Sequence, residues 1–142
     1  MKRKLISIAT VALLFACNKY DSIVGGTKPV NELLTEKPWQ IVGAGFDNNN
    51  NGIVDISENQ LTDCQKDNTY LFHQPGTGSI FDNAVDCTPS GNLNFEWKLL
   101  NDGKEIEINL QKFFIVRITE HELLLKTDAP QLTEEFLLAY TR

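Results

Sequence analysis

Leu93-Asn-Phe-Glu-Trp-Lys-Leu99, then Leu100-Asn-Asp-Gly103 and Lys104-Glu-Ile-Glu-Ile-Asn-Leu110, decides the fold of this chain. Leu93, Phe95, Trp97 and Leu99 alternate with Asn94, Glu96 and Lys98. A period of two sends successive side chains to opposite faces, the mark of a half-buried strand. Ile106, Ile108 and Leu110 alternate with Glu105, Glu107 and Asn109 in the same way. Asn101-Asp-Gly103 between them is a hairpin turn, since Asp-Gly suits positive φ. Glu105 and Glu107 then read as a solvated outer face, a simpler account than a carboxylate pair for glycoside chemistry.

Working outward, strands are expected at Trp39–Phe46, Asn68–Gln74, Ser79–Val85, Phe113–Thr119, Glu122–Thr127 and Glu135–Thr141. Asp47–Gly52 reads as a polar loop and Ser57–Leu61 as a short helical turn capped by Ser57. Pro75-Gly76 marks a turn. About eight short strands, many in hairpin succession and without a long helix, predict an all-β fold. The expected architecture is a small antiparallel up-and-down β-barrel over residues 32–142.

The N-terminus carries a different signal. Met1-Lys-Arg-Lys4 is basic, Leu5–Phe15 is apolar, and Ala16-Cys17 stand where a cleavage site falls. That is the layout of a secretory signal over residues 1–16, too short for a stable transmembrane helix. Leu14-Phe-Ala-Cys17 resembles the lipobox of bacterial lipoproteins, with Phe15 in place of the usual small residue. The resemblance implies lipid on Cys17 and attachment to a membrane of the bacterial cell envelope, facing the periplasm or the cell surface. Residues 17–31, with Gly25-Gly26 and Pro29, read as a flexible tether. Cleavage leaves 126 of 142 residues, enough for one domain with a core. It removes Lys2, Arg3 and Lys4 and no acid, taking the net charge from −6 to −9. An acidic chain without a basic cluster is a poor nucleic-acid binder. Anionic headgroups would not attract it either, so attachment rests on the lipid.

With Cys17 assigned to lipid, Cys64 and Cys87 are left as a pair in an oxidising compartment, and a disulfide is expected. Two buried thiols are the alternative; a zinc site is disfavoured for want of nearby histidines.

From about Leu34 to the C-terminus the chain resembles the lipocalin-like domains of small bacterial lipoproteins. The resemblance rests on Trp39 in the first strand, Cys64 before Asp67-Asn-Thr-Tyr-Leu-Phe72, and the turn at Gly76 and Gly78. It continues through Cys87 and Phe95-Glu-Trp-Lys-Leu99 ahead of the hairpins. Lys37-Pro38 precede Trp39, so the glycine that full lipocalins carry just before this tryptophan is absent. The resemblance implies a small antiparallel barrel able to enclose a ligand, and no particular ligand.

The sharpest local motif is Asp47-Asn-Asn-Asn-Asn-Gly-Ile-Val-Asp-Ile-Ser-Glu58, which satisfies D-x-[DN]-x-[DN]-G-x5-E at every specified position. Asp47, Asn49 and Asn51 would offer side-chain oxygens to a calcium ion, and Ile53 its backbone carbonyl. Asp55 would ligate directly or through water, Glu58 would close the site with two oxygens, and Gly52 would permit the bend. A strand precedes Asp47 where an EF-hand has a helix. The expectation is therefore a structural calcium loop on a β framework, with an ordinary Asn-rich turn as the alternative.

Tyr70, Phe72, Phe95 and Trp97 are candidates to line a ligand cavity, although inner-face aromatics more commonly form plain core. His73 and His121 have no neighbouring nucleophile motif, and no catalytic residue is expected. The reading is a non-catalytic, membrane-anchored binding module for a small apolar ligand with a structural calcium. The alternative is a structural or protein-interaction lipoprotein whose barrel is filled, its protein partner unspecified.

Overall fold

Nine strands and two short helices follow one another in the computed structural model, which describes residues 23–24, 28–74, 76–85, 91–127 and 134–142. They run β1 (Ile23–Val24), α1 (Val30–Thr35), β2 (Trp39–Phe46), α2 (Asp63–Lys66), β3 (Thr69–His73), β4 (Thr77–Phe81), β5 (Leu93–Leu100), β6 (Glu105–Ile108), β7 (Gln111–Ile118), β8 (Glu122–Thr127) and β9 (Phe136–Thr141). From β2 to β9 each strand pairs antiparallel with the next, and β9 pairs back onto β2, closing an eight-stranded up-and-down barrel. Closure removes the sheet edges that an open meander would expose. The all-β barrel expected from the alternating pattern is therefore the observed fold.

The antiparallel register sorts the connections to two ends. At one, α1 lies with the β3–β4, β5–β6 and β7–β8 turns and Arg142. The other, called the loop end, carries the β2–β3 segment (47–68), residues 82–85 after β4 and 91–92 before β5, the β6–β7 turn (109–110), and residues 134–135 before β9. β1 adds in parallel to β7, with Ile23 beside Arg117 and Val24 beside Ile118. It occupies the β7 edge beyond the last β6 pairing, at Phe114.

The interior follows the sequence alternation. Phe95 and Trp97 are buried, as are Trp39 and Ile41 of β2, Ile106 of β6, Phe113 and Ile115 of β7, and Tyr140 of β9. Strand β2 changes phase at Val42, where the register against β9 shifts between Ile41 and Gly43. Val42 is exposed in phase with Gln40, and past the bulge the phase has changed, so that Ala44 is buried.

Four expectations need correction. Two elements fall within or across the expected tether of residues 17–31: β1, and α1, whose Leu33 and Leu34 are fully buried. Strand β4 begins two residues early and ends at Phe81, because Ala84 N and Val85 N leave the ladder to donate to Asp67 Oδ2 at 2.8 and 3.0 Å. Leu110 is in a turn, with Asn109 at φ 48° and Leu110 at φ 70°, and is 88% exposed. Ser57–Leu61 is not helical. A single turn begins at Asp55, whose carbonyl accepts from Glu58 N and Asn59 N, and the helix forms later, as α2. There Thr62 N donates to Gln65 Oε1 at 2.9 Å, one half of a capping box.

The hairpin between β5 and β6 is as the sequence predicts. Asn101, Asp102 and Gly103 take φ of 50°, 55° and 81°.

Candidate functional site

The 47–58 loop leaves β2 at the loop end and is organised around two buried carboxylates. Asp47 is 3% and Glu58 7% exposed. Burying a carboxylate is costly unless its oxygens are satisfied. Asp47 Oδ1 accepts from Asn51 N at 2.9 Å and Oδ2 from Gly52 N at 2.8 Å. Glu58 Oε1 accepts from Asn48 N at 2.9 Å and Oε2 from Asp55 N at 3.1 Å. One carboxylate thus winds the first half of the loop, and the other ties its start to its end.

The polar side chains between them continue the pattern. Asn49 Oδ1 accepts from Asn51 N and Asn51 Oδ1 from Ile53 N, both at 3.0 Å. Asn49 Nδ2 and Asn51 Nδ2 both donate to Asp55 Oδ2, at 2.7 and 3.0 Å. Asp47, Asn49, Asn51, Asp55 and Glu58 therefore form one hydrogen-bonded unit. Gly52 sits at φ 78°, a conformation that costs glycine little, and makes the bend assigned to it. Ile53 extends its side chain to solvent, 49% exposed.

Two residues outside the motif fix this loop to the barrel. Asn59 Nδ2 donates to Val42 O at 2.9 Å, and its Oδ1 accepts from Ala44 N at 3.3 Å and Leu61 N at 3.1 Å. With Gln60 N donating to Ala44 O at 2.7 Å, these bonds occupy the β2 edge beyond its two pairings with β3. Gly45 lets the Glu58 backbone lie against β2, because a Cβ there would stand 2.0 Å from Glu58 O. Gly43 similarly accommodates Val54, 3.1 Å from where its Cβ would be. The Gly43-Ala-Gly45 spacing was a signal of close approach on one strand face that sequence reasoning did not use.

The unit can present oxygens to a hard cation. Asp47, Asp55 and Glu58 supply carboxylates; Asn49 and Asn51 supply amide oxygens once their NH2 groups turn away from Asp55. Among the described residues no group of three or more His, Cys, Asp and Glu side chains is arranged to hold a metal. The amide positions are thus essential to any site here.

The four aromatics proposed for a cavity come together in the barrel interior. Phe72 packs edge-on to Phe95 at 5.1 Å and to Trp97 at 5.6 Å between ring centroids. Tyr70 lies 6.5 Å from Phe95 and 5.2 Å from Tyr140. Trp97 Nε1 donates to Thr77 O at 2.9 Å and His73 O at 3.1 Å, so its polar atom is satisfied by backbone. The Phe95 ring fills the space above Gly78, where a Cβ would meet Phe95 Cζ at 2.1 Å. A surface cleft of about 600 Å³ has Thr77, Ser79, Asn94, Glu96 and Asn109 on its walls, a poor match for an apolar ligand.

Cys64 lies in α2, its Sγ 3.3 Å from Thr62 Oγ1. Cys17 and Cys87 lie outside the described residues. His73 ends β3 and His121 lies in the β7–β8 turn, both exposed. Glu107 pairs with Lys98 at 2.7 Å, and Glu105 faces Leu100 and Phe114 across the sheet. Among the described residues no helix is long and apolar enough to cross a membrane. Neither a protein family nor a curated protein sequence matches this chain.

Proposed function

We propose that this chain is a non-catalytic lipoprotein of the bacterial envelope, held by lipid on Cys17, whose barrel is packed and whose working surface is external. Of the two readings drawn from the sequence, the contacts among the interior aromatics favour the structural or interaction module over the carrier of a small apolar ligand. The supporting observation is the mutual edge-to-face packing of Phe72, Phe95 and Trp97, with Phe95 seated on Gly78. An eight-stranded barrel is narrow enough for its own side chains to fill.

The 47–58 loop adds a structural calcium to this reading. Calcium accepts six to eight oxygens in a flexible arrangement, which carboxylates and amide oxygens at Asp47, Asn49, Asn51, Asp55 and Glu58 can meet with the Ile53 carbonyl. The cation would replace the amide donors that now satisfy Asp55 Oδ2. Cys64 is assigned to a disulfide with Cys87, which would tie α2 to the β4–β5 connection.

Native mass spectrometry of the protein extracted from its own membrane tests these assignments together. The expected spectrum carries the mass of a lipidated Cys17 N-terminus and one calcium, with no retained small molecule. A stoichiometric apolar ligand would restore the carrier reading. An unlipidated mature chain would remove the anchor.

A further inference from the structure

Large apolar side chains are not exposed at random on this barrel. Among the described residues eight are exposed, and six of them sit at the loop end: Ile53, Ile56, Phe81, Val85, Leu93 and Leu110. Val42 and Phe114 are on the outer wall, and none is at the α1 end. Ile56 and Leu110 are 98% and 88% exposed, each on a turn with nothing to gain from intramolecular packing. Scattered exposed apolar residues are ordinary, but their gathering at one end of a small acidic domain marks a surface that meets something apolar.

The chain's own anchor points to the same end. Because β1 is parallel to β7, it runs from the loop end towards the α1 end. Six Cα–Cα steps separate Cys17 from Ile23, with five residues between them. Fully extended they span about 20 Å at most. Six steps along β7, from Arg117 back to Gln111, cover about the same distance along the barrel. A lipid on Cys17 would hold the membrane within that distance of Ile23, and the loop end, which the N-terminal side of β1 faces, lies within the same reach.

We propose that the loop end of the barrel lies against the lipid bilayer that receives the Cys17 lipid, with Ile53, Ile56 and Leu110 seated in the interfacial region as a second, non-covalent contact. The inference rests on lipidation of Cys17. It gives the 47–58 loop a place: an ordered loop presents Ile53 and Ile56 to the membrane in a fixed position. The net acidic charge means that this contact draws on apolar insertion and not on anionic headgroups.

The test uses the full lipidated protein in phosphatidylcholine vesicles, with an environment-sensitive fluorescent amino acid encoded at position 56, 110 or 102. Positions 56 and 110 are at the loop end, and position 102 is in the β5–β6 turn at the α1 end. Position 85 substitutes for 110 if the turn at Leu110 rejects the larger side chain. Emission at 56 and 110 is expected to shift to the blue and fall roughly twofold or more with lipids carrying a quencher near the headgroup, while 102 is unaffected. Quenching at 102 instead, or at no position, overturns the orientation. A blue shift at 56 and 110 without lipid quenching means that protein, a second copy included, covers this end, and also overturns it. The anchor reading fails by a separate measurement: no lipid mass on Cys17.

Discussion

The guanidinium of Arg142 lies 3.7 Å from the centre of the Trp39 ring, so the last residue of the chain covers the first residue of the barrel. Arg142 also donates to Leu33 O and, at 3.3 Å, to Glu120 O, while Trp39 Nε1 donates to Leu34 O at 3.1 Å. These bonds tie α1, β2, β9 and the β7–β8 turn together around one desolvated cation. Burial depresses the Arg142 pKa, with Glu36 and Glu120 opposing the shift.

Replacing Arg142 should loosen this end as a unit. Arg142→Ala is expected to cost about 2 kcal/mol, the scale of a desolvated cation–π contact, with lost carbonyl bonds adding to it. Arg142→Lys should recover only part, since an ammonium lacks the planar fork that reaches several acceptors over a ring. Urea unfolding midpoints of the two variants provide the check. Equal stability of Arg142→Ala and the parent would mean that the stacked cation contributes nothing net.

The contact between Phe95 and Gly78 makes a sterically sharp prediction. Gly78→Ala places a methyl group into the Phe95 ring and should destabilise by about 1–3 kcal/mol, as overpacking does. Phe72→Ala removes the ring that touches both Phe95 and Trp97 and should cost about 3–5 kcal/mol. Fatty acids or isoprenoids should leave the Trp fluorescence and melting temperature of the parent unchanged. A saturable fluorescence change would show that the interior opens to ligand.

Most of this framework was legible in the sequence, for a definite reason. In β5 to β7 one face meets a core, so alternation survives from Phe95 to Ile115 and sets the register, whereas β8 buries Leu123, Leu124 and Leu125 in succession. Legibility failed where tertiary contact overrides local pattern. Val30-Asn-Glu-Leu-Leu-Thr35 has Pro29 before it and no side-chain cap, and only the plugging of the barrel end by Leu33 and Leu34 makes it a helix worth having. Leu110 continues the alternation of β6, yet Asn109 and Leu110 turn the chain with positive φ. In the loop, motif spacing identified Asp47 to Glu58, whereas Asn59 acts only through its bonds to β2 and Gly45 only by admitting the Glu58 backbone, and neither belongs to the motif.

Tyr140 gives the barrel an alkaline limit. Burial, chiefly, pushes its hydroxyl far above the ordinary tyrosine value, with a smaller contribution from Tyr70, which is itself raised by burial. An unfolded tyrosine titrates near pH 10. Below that pH both states hold the proton and the stability contribution is complete. Above it the unfolded chain releases a proton that the folded chain keeps, so stability falls by up to about 1.4 kcal/mol per pH unit for each such group. Unfolding free energies at about pH 9 and about pH 11 should therefore differ less in Tyr140→Phe than in the parent. An unchanged difference would place the alkaline sensitivity elsewhere.

Pairing of Cys64 with Cys87 predicts that the unfolded, unreduced mature protein has no reactive thiol. Closing a loop of this length should stabilise by about 3 kcal/mol through the unfolded chain. Reduction should lower the melting temperature, and the same reductant should leave a Cys64→Ala, Cys87→Ala variant unchanged. Two thiols that label without reductant would remove the pairing.

The last prediction concerns calcium. Asp47 and Glu58 already hold the loop wound, by accepting from Asn51, Gly52, Asn48 and Asp55 backbone amides, so a cation need not create the fold of this segment. What binding must do is break the bonds from Asn49 and Asn51 to Asp55 and draw Glu58 from the two amides it bridges. Those exchanges cost affinity, and only Asp47, Asp55 and Glu58 bring charge. A dissociation constant on the order of 10⁻⁴ to 10⁻³ M is expected, the range of extracellular modules. Tenfold excess over that constant should raise stability by about 1.4 kcal/mol through mass action. Magnesium should do less, because it demands near-ideal octahedral geometry and sheds its waters reluctantly. Glu58→Gln should abolish the calcium-specific rise, and so should Gly45→Ala, which drives the Glu58 backbone off β2. Asn59→Ala, which leaves every ligand in place, should lower the stability of the cation-free protein while keeping a calcium response. Thermal unfolding in chelator, millimolar calcium and millimolar magnesium distinguishes these cases, and an equal shift with both ions in the parent would reduce the loop to an Asn-rich turn.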